Sequence, residues 1–143
     1  MTKKIIIIGS GFSSISASTY LADKGYDVTI LEKNKSFGGR ARKFREQGFT
    51  FDMGPSWYWM PDVFEKYFND FNKSVDDYYT LKKLDPAYRV YFAKNDFIEI
   101  GDNLEKISQT FEEHEKGSSK KLMKFMAEAK QNYSIAMEKV VYK

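Results

Sequence analysis

The stretch IIIIGSGFSSISASTYLADKGYDVTILE, residues 5–32, decides the reading of the fold. Ile5 to Ile8 form a continuous β-branched run, the pattern of a strand covered on both faces in a parallel sheet. Gly9 and Gly11 make a Gly-x-Gly turn that leads straight into a helix. On that helix Ser14, Ala17, Ser18 and Leu21 share one face, and three of the four are small, so the helix can lie close to the sheet. Gly25 ends the helix as a C-terminal cap, Tyr26 to Leu31 is the second strand, and Glu32 stands at its carboxyl end.

The order of these pieces carries the chemistry. Gly9 permits the tight turn, Gly11 lets the backbone approach a pyrophosphate, and the unpaired N–H groups at the helix start, over Phe12, Ser13 and Ser14, face the anion. Glu32 follows Gly11 by 21 residues, close to the spacing of about 20 at which an acid accepts hydrogen bonds from a ribose hydroxyl pair. The same carboxylate repels a 2′-phosphate and so disfavours NADP. Ser14 stands where such turns often carry a third glycine, a position that serves helix–strand packing rather than phosphate contact. Its hydroxyl is expected to bond back to the carbonyl of Ser10. A Gly-x-Gly turn alone also fits a glycine-rich bend in another α/β domain; strand, turn, helix, cap, strand and acid in order favour a dinucleotide site.

An NAD-type half would continue with a helix and a third parallel strand. Instead KNKSFGGRARKF follows Glu32, and no helical period runs from Lys33 to Asp52. Gly38 and Gly39 allow a second close backbone approach, and Arg40 offers a forked donor suited to phosphate. Lys33, next to the acid, is grouped with the cofactor-side residues, although the plain reading of Lys33, Lys35, Lys43 and Arg45 is a solvated face.

Composition sets the outer bounds. The chain has 143 residues, 42% hydrophobic and 17% aromatic, with a formal net charge of +3 and no cysteine. The charge is too small to argue for nucleic acid, and disulfides and thiolate metal sites are excluded. Four isoleucines after Lys3 and Lys4 are too short for a signal peptide, and no stretch approaches the roughly 18 apolar residues of a membrane span. Any membrane contact is therefore expected to be peripheral, and the expected location is the cytoplasm or the inner membrane surface.

Taken together, IIIIGSGFSSISASTYLADKGYDVTILEKNKSFGGRARKFREQGFTFDMGPS resembles the N-terminal FAD-binding segment of the bacterial carotenoid (phytoene) desaturases, the phytoene dehydrogenase family. LDPAYRVYF further along also resembles a segment of that family. The glycine turn, the acid and Gly-Gly-Arg are shared with the wider amine oxidase group of flavoproteins; the phenylalanine-rich approach to DMGPS narrows the likeness to the desaturases. The resemblance implies that Gly9 and Gly11 face the FAD pyrophosphate and that Glu32 takes the adenosine ribose. It also implies that Gly39 and Arg40, with Gly38 grouped beside them, close over the phosphates from the other side, and that Gly54, Pro55 and Ser56 lie nearer the flavin ring. Serine at Ser13 and Ser14 departs from the glycine usual in the family.

Downstream, Pro61 and Asp62 open a helix whose Val63, Phe64, Tyr67, Phe68 and Phe71 form one apolar stripe, read as core. YRVYFAKNDFIEI reads as a hairpin with Tyr88, Val90 and Phe92 on one face and its turn near Asn95. Asp102 or Asn103 caps a short helix that ends near Gly117, and Ser118 or Ser119 caps the next. The spacing Leu122, Phe125, Met126, Ala129, Tyr133, Met137, Val140 stays helical up to Lys143. Trp57, Tyr58, Trp59 and Met60 fit an apolar tunnel, a bilayer contact or packing against further chain. His114 sits among glutamates on a polar face, with no metal or catalytic partner expected.

The expected fold is α/β: a Rossmann-like βαβ FAD-binding unit with an appended β-hairpin and helices. Residues 1–56 form the cofactor-binding part and residues 57–143 the start of a substrate or cap region. The expected function is that of an FAD-dependent oxidoreductase dehydrogenating a carotenoid-precursor polyene, present here as an N-terminal fragment that is inactive alone. No catalytic residue is assigned, because such chemistry rests on positioning, an apolar site and the cofactor itself. A non-catalytic dinucleotide-binding module, an NAD-dependent oxidoreductase and another amine-oxidase-type flavoprotein remain as alternatives.

Overall fold

A computed structural model describes residues 2–55 and 57–142. The chain divides into two compact units, residues 1–74 and 75–143.

The first unit opens with strand β1 (Lys4–Ile8), helix α1 (Phe12–Asp23) and strand β2 (Asp27–Leu31). β1 and β2 pair in parallel, from Lys4 opposite Asp27 to Ile8 opposite Leu31. The Gly9 N–H extends the ladder by donating to the Leu31 carbonyl at 2.7 Å. A parallel pair needs a crossover, and α1 is that crossover. It ends at Lys24, after which Gly25 takes the left-handed conformation, φ 83°, that the expected cap requires.

Two expectations for this unit need correction. β1 is covered on one face only: Ile5 and Ile7 are half-buried, whereas Ile6 is 66% and Ile8 86% exposed. The sheet has two strands, and among the described residues α1 is the one helix packed on it, so its second face has no cover. On α1, Ser14, Ser18 and Leu21 are half-buried but Ala17 is exposed. A step of three residues turns a helix by about 300°, which leaves Ala17 at the margin of the stripe.

The segment after Glu32 forms no third parallel strand. An irregular stretch leads to an antiparallel hairpin, β3 (Arg42–Glu46) and β4 (Phe49–Met53), in a sheet of its own. Gln47 and Gly48, both at positive φ, make its turn. Phe44 lies opposite Phe51 with ring centroids 5.0 Å apart in a stacked pair.

Helix α2 (Pro61–Asn69) follows, with proline in its first turn as expected. Its aromatic stripe meets the outer side of α1. Phe64 packs edge-on to Phe12 at 6.1 Å, Tyr67 packs edge-on to Tyr20 at 5.8 Å, and Phe71 lies 4.9 Å from Tyr20. The Tyr67 hydroxyl donates to Thr19 Oγ1 at 2.8 Å, and the Tyr20 hydroxyl donates to Asp70 Oδ2 at 2.6 Å. The stripe is therefore packing, as its spacing implied.

In the second unit, strands β5 (Tyr88–Ala93) and β6 (Asp96–Ile100) form the expected hairpin with Lys94 and Asn95 at the turn. A bulge between Tyr91 and Ala93 inserts Phe92, so the alternation that joined it to Tyr88 and Val90 stops at that point. Asn103 is the cap of helix α3 (Leu104–His114), its side chain accepting from the Lys106 N–H at 3.0 Å. Helix α4 (Ser118–Ala136) is capped differently from expectation. Gly117, at φ 84°, holds the cap position, and Glu112 accepts from the N–H groups of Gly117 and Ser119 at 2.7 and 3.0 Å. Ser118 turns its hydroxyl back to the Phe111 carbonyl at 2.6 Å. A carboxylate from the preceding helix thus replaces the serine cap, because the tight α3–α4 turn brings Glu112 to the open end. A π-type turn, Met137–Val141, closes the helix.

Candidate cofactor-binding site

The turn between β1 and α1 is built around Ser10, which is 5% exposed. Its N–H donates to Glu32 Oε2 at 2.8 Å and its hydroxyl to the same oxygen at 2.7 Å. Its carbonyl accepts from the Gly38 N–H at 2.8 Å. One residue therefore ties together the first glycine turn, the acid at the end of β2 and the Gly38–Gly39 loop. The carbonyl expected to receive the Ser14 hydroxyl is the one that Gly38 occupies; among the described residues Ser14 makes no such bond.

Glu32 receives two more donors on its other oxygen. The Asn34 N–H lies 2.9 Å and the Asn34 side-chain amide 2.7 Å from Oε1. Hydrogen bonds from Asn34 and Ser10 stabilise the charged form and outweigh desolvation, holding the carboxyl well below its usual range at about 2. The acid is fixed, ionised and half-buried, standing at the mouth of the β1–α1 turn.

The start of α1 is open. Gly11 holds the cap position with no side-chain bond, and the first turn carries no acidic residue. The first backbone bond of the helix runs from the Ile15 N–H to the Gly11 carbonyl at 3.0 Å, which leaves the N–H groups of Phe12, Ser13 and Ser14 outside the helical ladder.

The second glycine segment folds onto the first. A Cβ placed on Gly39 would sit 3.2 Å from Gly11 Cα, and one on Gly54 would fall 2.3 Å from the Arg40 carbonyl oxygen. Gly54 also has φ 111°, a conformation that side chains avoid. Both glycines are thus required by the crossing of the chain over itself. The result is a layered arrangement of Gly11, Gly39, Arg40 and Gly54. Beside it lies a cleft of about 550 Å³ lined by Asn34, Gly39, Arg40, Arg42, Met53 and Gly54. Its lining includes Arg40 and Arg42 and no acidic residue, although its surface is mostly apolar, and among the described residues neither arginine has an acidic partner. Their guanidinium groups suit an anionic ligand.

The sequence-derived site residues therefore fall into distinct groups. Gly9, Gly11, Glu32, Gly38, Gly39, Arg40 and Gly54 come together around the turn. Phe12 packs with Phe64 and is exposed on its other side, Ser13 is exposed, and Lys33 points to solvent. Pro55 is exposed next to Gly54, and Ser56 lies outside the described residues. Sequence reasoning missed Ser10, Asn34 and Arg42. The signal for Ser10 was its place inside the Gly-x-Gly turn, where a side chain can face the acid that follows the next strand.

Elsewhere, Trp57 and Trp59 stack at 6.2 Å and are both largely exposed, while Tyr58 stacks on Phe64 at 4.9 Å. His114 is exposed, and its Nδ1 lies 2.9 Å from the Thr110 carbonyl of the preceding helical turn. Among the described residues no helix is long and apolar enough to cross a membrane.

Residues 7–73 match the family model of an NAD(P)-binding Rossmann-like domain. Along 138 residues, 96% of its length, the chain is 45% identical to the carotenoid 3,4-desaturase of Haloarcula japonica, of which it covers 28%. It is 38% identical over 132 residues to a 4,4′-diapophytoene desaturase of Staphylococcus haemolyticus, covering 26% of that protein. The corresponding enzyme of Staphylococcus aureus is 39% identical over 133 residues, again with 26% covered. The resemblance seen in the motifs thus extends over nearly the whole chain, which spans little more than a quarter of the length of these relatives.

Proposed function

We propose that this chain is the FAD-binding portion of a carotenoid desaturase, an oxidoreductase that dehydrogenates an apolar polyene. The observation that carries this reading is the single cluster in which a β1–α1 turn with open N–H groups, a fixed carboxylate and an arginine-lined cleft adjoin one another. In it Gly9, Gly11 and the N–H groups of Phe12, Ser13 and Ser14 receive the pyrophosphate, with Gly38, Gly39 and Arg40 closing from the other side. Glu32 accepts the adenosine ribose hydroxyls, its charge opposing a 2′-phosphate. Lys33 adds positive charge at the rim, and Gly54, Pro55 and Ser56 lead toward the ring end. The similarity to desaturases over 96% of the chain supports FAD over NAD, as does the antiparallel hairpin where an NAD-type half would place a third parallel strand.

FAD, when bound, supplies the two-electron acceptor for removal of hydrogen from a carbon–carbon unit. The residues of this chain bind and orient it; none of them is assigned a proton transfer. Residues 1–56 would form the cofactor-binding part and residues 57–143 the start of the region that meets the substrate. The exposed Trp57, Trp59 and Phe37 would then serve an apolar polyene or a membrane surface at which it resides. The protein would work in the cytoplasm or at the inner face of the membrane.

The test is the visible spectrum and turnover of the protein encoded by the whole gene. Flavin absorption with polyene dehydrogenation is expected, and Arg40→Ala should lower the flavin content. Flavin without turnover on any polyene would favour the non-catalytic module, and a colourless protein that binds nicotinamide dinucleotides would replace FAD by NAD.

A further inference from the structure

We infer that Ser10 is a positioning residue that anchors one carboxylate oxygen of Glu32, Oε2, and so reserves the other oxygen for the sugar. This rests on the reading of Glu32 as the ribose acceptor and names a residue through which it acts. A carboxylate offers about four acceptor sites, and all four are taken, two on each oxygen. A ribose diol must therefore displace a donor already in place.

The two sides are not equivalent. Both donors on Oε2 come from Ser10, which is almost fully buried and whose carbonyl is itself held by Gly38. Both donors on Oε1 come from Asn34, an exposed residue in the irregular stretch after β2. The Asn34 amide is a rotatable side-chain group facing water, so it can be exchanged for a sugar hydroxyl at little cost. The Ser10 hydroxyl has no such freedom and keeps the carboxylate aimed while the exchange occurs. The low proton affinity of Glu32 is set first by the Asn34 N–H, with the Ser10 hydroxyl and N–H next.

Titrating FAD into this chain, Ser10→Ala should weaken binding about tenfold, and Ser10→Thr should restore it. In a Glu32→Gln background the Ser10→Ala effect should largely vanish, because a residue acting through Glu32 couples to it. A ligand-free readout accompanies the titration. The ¹³C resonance of the Glu32 carboxyl should report a titration midpoint that rises from about 2 toward the ordinary value in Ser10→Ala, in a chain whose amide spectrum remains folded. An unmoved midpoint, or an equal loss of affinity with and without Glu32, overturns the role. Should the unaltered chain fail to bind FAD, that failure falls on the proposed function, and the carboxyl midpoint still decides the place of Ser10.

Discussion

At the scale of single residues, Glu32 is the centre of the cluster, accepting four hydrogen bonds. Its folded proton affinity lies below the ordinary value of 4.5 and near 2, set first by the Asn34 N–H and then by Ser10. A depressed carboxylate favours folding in full above the unfolded value, and that contribution is lost as pH falls from about 4.5 toward 2. Urea midpoints measured across this window should therefore fall more steeply for the unaltered chain than for Glu32→Gln, whose amide cannot titrate. Equal slopes would mean that the four hydrogen bonds do not discriminate between charged and neutral forms. The acid itself was legible from its distance to Gly11, since a βαβ unit fixes that length. Its partners were not, because Ser10 reaches it through the parallel register of β1 and β2, which spacing alone does not specify, and Asn34 folds back on it from two residues along the irregular stretch. Gly54 shows the opposite limit: a glycine attributed to cofactor approach has sufficient cause in the Arg40 carbonyl beneath it.

At the scale of elements, local chemistry predicted starts and stops well where one side chain decides them. Gly25, Pro61 and Asn103 each sit where expected, because a positive φ, a missing N–H or a short acceptor is a property of the residue itself. Asn103→Ala should lower stability by about 1 kcal/mol and increase amide exchange in the first turn of α3; unchanged exchange there would show that the cap contributes nothing. The start of α4 was misassigned to a serine because its cap is Glu112, which arrives by the folding of α3 against α4. The β3–β4 hairpin was likewise silent. Its alternation is blurred by charged residues on β3 and by aromatics at Phe49 and Phe51 that leave one face largely uncovered. The aromatic stripe of α2 was legible as core because five large apolar side chains at helical spacing need a partner, and α1 supplies it.

At the scale of the whole molecule, the α/β class and the likeness to carotenoid desaturases were readable because both lie in one contiguous stretch near the amino end. Coverage of the sheet was not readable, since a run of four isoleucines specifies apolar faces without specifying what meets them. Val75 and Ile100 are the apolar side chains that fall in the buried class among the described residues, and large apolar groups such as Ile8, Trp57 and Phe125 stand exposed. The chain therefore keeps the polar cluster of Ser10, Glu32 and Asn34 well formed while leaving large apolar groups exposed. The most direct test of the central claim is an amide-resolved NMR titration of the chain with FAD. The account predicts that the largest shifts fall on Gly9 to Ser14, Glu32 to Asn34 and Gly38 to Arg40, and that Glu32→Ala weakens binding about tenfold or more. Shifts confined to other segments, or an affinity indifferent to the loss of that carboxylate, would contradict it.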